Sequence, residues 1–143
     1  MRDLDRVPNS VDKLKQFVVN FVDRPRPSVP GGCPLLNTAI DADNGNPVLR
    51  DRALKGLHDW RDRLCSIIST GIKRRDIRHG VDPKKLATLI ISSLEGALMI
   101  ARLERDREAL VAARFHLESY PETEVSGHTA GRNTTRISAH RNY

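Results

Sequence analysis

Residues 82–106 read DPKKLATLIISSLEGALMIARLERD. Asp82 ahead of Pro83 marks a helix start. A short acidic side chain accepts a bond from a free backbone N–H, and proline suits the first helical position, which has no use for its missing donor. Leu86, Leu89, Ile90, Leu94, Ala97, Leu98 and Ala101 then recur at helical spacing. Ile91, Met99, Ile100 and Leu103 are apolar as well, so the apolar arc covers well over half of the circumference. A helix that buries one face needs only about 100° or a little more. Lys84, Thr88, Glu95 and Arg102 make the one clear polar strip. The spacing predicts a helix from Asp82 to about Arg105 that is buried on two sides.

Working outward, Asn46-Pro47 repeats the capping signal. Val48, Leu54, Leu57, Trp60, Leu64, Ile67, Ile68 and Ile72 stay near one stripe after it. They predict a helix from Pro47 to about Arg74, roughly 40 Å long at 1.5 Å per residue. Lys73 and Arg74 lie where positive charge complements the helix dipole. Upstream, Asn9 or Ser10 caps a first helix carrying Val11, Leu14, Phe17, Val18 and Phe21, which ends near Asp23 ahead of Pro25, Pro27 and Pro30. Between these two lies a short helix through Leu35, Leu36, Ala39 and Ile40. Downstream, Asp106 starts a last helix with Leu110, Val111, Ala113 and Leu117, and Pro121 lies just past its end. No strand alternation appears. The expectation is an all-α fold of about five helices: residues 1–9 a lead-in, 10–120 one domain, 121–143 a disordered tail of Ser, Thr, Gly, His, Asn and Arg.

The chain has 143 residues, enough for one domain with a real core. Its net charge of +6 suits anionic partners without requiring one. Residues 1–20 lack the apolar stretch of a signal peptide, and no run of 18 apolar residues suggests a membrane span. The expected location is the cytoplasm, with Cys33 and Cys65 as free thiols. No phosphate-binding glycine loop, Ser-His-Asp order or metal-ligand spacing is present, so neither an enzyme nor a cofactor or metal is expected. His58 and Asp62 share a helix face but have no third ligand spaced to join them.

Four features in order carry a resemblance: Gly31-Gly32-Cys33-Pro34-Leu35-Leu36; Asn46-Pro47 with Trp60-Arg61 in the helix that follows; Val81-Asp82-Pro83 with Leu86-Ala87; and Gly96-Ala97 with Ala101-Arg102 and Asp106. Over residues 10–120 the chain resembles the C-terminal domain of TetR-family transcriptional regulators. The resemblance implies a homodimer, a pocket for a small-molecule effector, and operator DNA read by a helix-turn-helix domain ahead of the pocket. It also implies that the last two helices, 83–105 and 106–120, form a four-helix bundle with the partner subunit. Nine residues ahead of residue 10 cannot supply a helix-turn-helix. The expected role is therefore the effector-binding and dimerising part of a repressor. The alternative is an interaction protein that pairs with a complete relative and disables it.

The pocket should be apolar with a few polar groups, and the candidates are Phe17, Phe21, Leu36, Trp60, Leu64, Ile67, Leu94 and Leu98. The interface candidates are Leu89, Ile91, Leu98, Met99, Leu103, Leu110 and Leu117. Cys33, at a helix start, is a candidate redox sensor, weighed against a small apolar residue packed at a junction. Relatives often carry glycine where Arg75 ends the long helix. A non-glycine residue in a left-handed cap costs on the order of 1 kcal/mol, so this turn is expected to differ locally.

Overall fold

The structure is a computed structural model, described here for residues 4–23, 33, 37–39, 41 and 45–127. It is all-α. Four long helices run through the described residues: α1 (Ser10–Val22), α2 (Pro47–Arg74), α3 (Pro83–Glu104) and α4 (Glu108–Tyr120). Residues 37–39 are helical, as expected of the short helix; the rest of that segment, including Leu35, Leu36 and Ile40, lies outside the described residues.

Three of the four helix starts follow from one side chain each. Asn9 accepts from the N–H groups of Val11 and Asp12, Asn46 from that of Leu49, and Asp82 from those of Lys84 and Lys85. Each replaces a partner that the first turn cannot find within its own helix. Asp106 does the same for Glu108 at the start of α4, at 2.9 Å.

α1 lies at the centre. It packs on α2, α3, α4 and the short turns at both ends of the chain. Its face of Val11, Leu14, Phe17, Val18, Phe21 and Val22 is buried. It meets Leu64 and Ile68 of α2, Leu86, Ile90 and Leu94 of α3, and Leu110 and Leu117 of α4 in one core. Two members of the expected α2 stripe are corrected: Val48 and Leu54 are exposed. The first half of α2 meets little of the bundle, and its buried positions are Ala53, Leu64, Ile68 and Gly71.

The domain does not stop at Tyr120. Residues Pro121–Val125 form a wide helical turn, and Val125 inserts into the core at 2% exposure. Ser126 then pairs with Ile77 in an antiparallel bridge. Arg78 N–H donates to Val125 C=O at 3.0 Å, and Gly127 N–H donates to Asp76 C=O at 2.8 Å. Residues 121–127 are thus a strap across the α2–α3 loop, and only the part of the expected tail beyond Gly127 lies outside the described residues. Ile77, under the strap, is fully buried.

Two glycines permit this junction. A Cβ on Gly71 would stand 2.7 Å from Ser10 Cβ and from Ile77 Cδ1, so the end of α2 can touch the start of α1 only without one. A Cβ on Gly127 would stand 2.1 Å from the Arg75 carbonyl oxygen. Arg75 itself takes the left-handed cap, at φ 65° and ψ 16°. The turn is therefore the one a glycine would make, and the expected local departure does not occur.

Val125→Ala should lower stability by about 1–3 kcal/mol, the range for removing buried methyl groups from a packed site. Urea denaturation checks it; a domain ending at Tyr120 would show no change.

Candidate functional site: an aromatic core and an outer apolar face

The aromatic residues singled out in the sequence come together. Trp60, from the middle of α2, packs edge-on against two rings of α1: Phe17 at 6.3 Å between centroids and Phe21 at 5.8 Å. Edge-to-face geometry sets the positive rim of one ring on the negative face of another. Helical spacing explains why both rings reach the same indole, since residues four apart share a face. Leu64 and Leu94 are fully buried in the same core, and Ile67 and Leu98 are half-buried at its edge. Leu36 lies outside the described residues.

One polar element borders this core. Both carboxylate oxygens of Glu95 are withdrawn from solvent. Two turns further along the same strip of α3, Arg102 reaches Asn37 at 3.5 Å. The segment around residue 37 therefore lies along the polar strip of α3, which the sequence alone could not place.

The two thiols differ in setting. Cys33 is buried, and Cys65 is half-buried beside the core. Burial pushes the Cys65 thiol up, and the negative charge of Asp62 adds to the effect. Both causes disfavour the thiolate, the form that reacts. Among the described residues no group of three or more His, Cys, Asp or Glu side chains could hold a metal.

The second feature is a surface. Leu89, Met99, Ile100 and Leu103 of α3 and Val111 and Phe115 of α4 are large apolar side chains left exposed, Leu103 at 78% and Phe115 at 76%. On α3 they lie on a different face of the helix from the core stripe Leu86, Ile90, Leu94, Ala97 and Ala101. Of the residues expected at an interface, Leu89, Met99 and Leu103 are exposed and Leu98 is half-buried. Ile91, Leu110 and Leu117 are buried within this chain's own core. On α4, Leu110 and Leu117 turn toward α1, so residues 111 and 115, one helical step away, face outward. Ile100, Val111 and Phe115, which were not among the expected residues, are exposed as well; hydrophobicity alone does not say which apolar face of a helix its own chain covers.

α3 is also long and apolar enough to cross a membrane by length and composition. Its buried core stripe and its exposed outer stripe account for that composition without a bilayer.

The described residues form a helical bundle with an aromatic centre and an exposed apolar face on α3 and α4. The comparisons give that bundle a family. Residues 10–117 match the family described as "Tetracyclin repressor-like, C-terminal domain", and the chain belongs to it. A TetR transcriptional regulator from Chloroflexus aurantiacus J-10-FL is similar in structure, with a TM-score of 0.81 and 40% identity, over 86% of this chain and 63% of that one. A TetR-family regulator from Cytophaga hutchinsonii gives 0.72 and 31% over 81% and 58%. In sequence, the HTH-type transcriptional repressor DhaR of Mycobacterium sp. (strain GP1) is 29% identical over 79 residues, which is 55% of this chain and 40% of DhaR. The chain thus spans less than two thirds of each of these relatives.

Because both causes raise the Cys65 thiol, its thiolate fraction at pH 8 is below that of an ordinary cysteine. Alkylation of Cys65 by iodoacetamide should therefore be slower than that of a free thiol at pH 8, and Asp62→Asn should speed it. Mass spectrometry of the labelled peptide measures both.

Proposed function

We propose that this chain is the effector-binding and dimerising part of a TetR-type transcriptional repressor. The observation that carries the reading is the outer apolar face of α3 and α4. Six large side chains of one face stand in water, and contiguous exposed apolar patches mark interaction sites. A second copy presenting the same face would cover them by two-fold symmetry, giving a four-helix bundle. Gly96 lies within that stripe, and a Cβ there would meet nothing among the described residues within 4 Å.

The effector is a small, largely apolar molecule held beside Phe17, Phe21 and Trp60. Tight edge-to-face rings hold shape well and shift together when one moves. Insertion of a ligand beside Trp60 would therefore displace α1 against α2. In the dimer this displacement would change the spacing of the DNA-reading parts of such regulators. Operator contact belongs to those parts, and the expected setting is the cytoplasm.

Leu103→Glu with Phe115→Glu should convert a dimer to a folded monomer. Both side chains are exposed, so the protomer's core is untouched, while charge buried against charge in the interface is strongly unfavourable. Multi-angle light scattering and circular dichroism check the mass and the fold. A mass unchanged from wild type would overturn the interface. For the effector site, Trp60 is the single tryptophan. Titration with small apolar and aromatic compounds should change its emission, and Phe21→Ala should weaken the response at least tenfold in apparent affinity.

A further inference from the structure

α1 is held at both ends by side chains from elsewhere in the chain. At its N-terminus the N–H groups of Ser10, Val11 and Asp12 all find side-chain acceptors. Asn9 takes Val11 and Asp12, Asn9 C=O takes Lys13, and the remaining Ser10 N–H donates to Asp76 Oδ2 at 3.1 Å. Asp76 lies 66 positions away, in the α2–α3 loop that the strap covers. At the C-terminus, Arg107 Nη2 donates to Val22 C=O at 2.7 Å. Arg114 pairs with Asp23, the cap residue, at 3.1 Å, and with Glu118 of its own helix at 3.3 Å. Arg107 and Arg114 belong to the start and middle of α4.

The charges match the helix. A carboxylate sits at the positive end of the α1 dipole and a guanidinium at the negative end. Both satisfy backbone groups that a helix end leaves open. Between the two ends lie 13 residues, about 20 Å at 1.5 Å per residue, with Leu14, Phe17 and Val18 packed at or near zero exposure. A short helix with a close-packed middle and both termini anchored has no soft point at which to bend.

We propose that α1 is a strut between α4 and the α2–α3 loop. Its first turn, where the preceding residues 4–9 join, is positioned jointly by Arg107 at one end and Asp76 at the other. Residues 4–9 then move with the outer helices as one body. α4 carries Val111 and Phe115 of the outer face, and α2 carries Trp60 into the α1 rings. α1 therefore relays both the contact between copies and the state of the aromatic core to residues 4–9. This regulatory meaning rests on the dimer and effector reading above. The mechanical link itself needs neither.

Amide hydrogen exchange on the 143-residue chain, followed by NMR, tests the link. Rates are read relative to those of Ile90–Leu94 in α3, so that a global loss of stability cancels. Arg107→Gln should speed exchange at Val19–Asp23 and also, by threefold or more, at Ser10–Lys13. Asp76→Asn should do the reverse, speeding Ser10–Lys13 and carrying over to Val19–Asp23. Arg107→Lys, which keeps the charge and most of the packing, should restore most of the protection at both ends. Effects confined to the mutated end in both variants would overturn the strut. That result would leave the light-scattering test of the dimer standing, so the two failures are distinguishable.

Discussion

The burial of α1 is the constraint on which the other elements depend. It is a 13-residue helix with six apolar side chains on a face broad enough to touch every neighbour. Alone, a helix of that length is marginal in water. Enclosed, Leu14, Phe17 and Val18 each contribute roughly 1.5–3 kcal/mol by leaving solvent. The other helices are arranged to supply that enclosure. α2 brings Leu64 and Ile68, α3 brings Leu86, Ile90 and Leu94, α4 brings Leu110 and Leu117, and the strap brings Val125. The close approach at Gly71 follows from the same need, since the start of α1 can be covered only where α2 carries no side chain.

The parts of the fold that the sequence made legible are those written locally. Asn46-Pro47 and Asp82-Pro83 each specify a helix start within four residues, and both helices begin there. Phe17 and Phe21 share a face by their spacing alone. What was not legible is non-local. Ser10, Gly71, Asp76, Ile77 and Gly127 form one junction from three separated stretches. No periodicity links a lone isoleucine in the charged run Arg74–Arg78 to a lone valine past a proline. The outward face of α4 was not legible for a related reason. Leu110 and Val111 are equally apolar, and only the position of α1 decides which of them faces inward.

Arg75 and Arg105 show how far tertiary structure overrides local preference. Both end a helix in the left-handed region, at φ 65° and 60°, where glycine is the usual occupant. The strain at Arg75 is on the order of 1 kcal/mol. It is held in place because the loop after it must turn Ile77 under the strap and set Asp76 against Ser10. The two bonds across the bridge and the burial of Ile77 and Val125 together exceed that strain.

α3 carries a glycine whose surroundings differ from those of Gly71. Glycine in a helix interior costs about 0.8–1 kcal/mol relative to alanine. A protein usually keeps one there for a reason of space. At Gly71 the reason is visible, because Ser10 and Ile77 occupy the room a Cβ would need. At Gly96 nothing among the described residues stands within 4 Å of that position. Met99, Ile100 and Leu103 follow it at three, four and seven residues, on the face that stands exposed. A backbone left bare in the middle of an uncovered apolar stripe makes sense when another helix comes close enough to need the space. The same helix therefore carries two stripes: that from Leu86 to Ala101 builds the core around α1, and that through Gly96, Met99, Ile100 and Leu103 stands outside the core formed by the described residues.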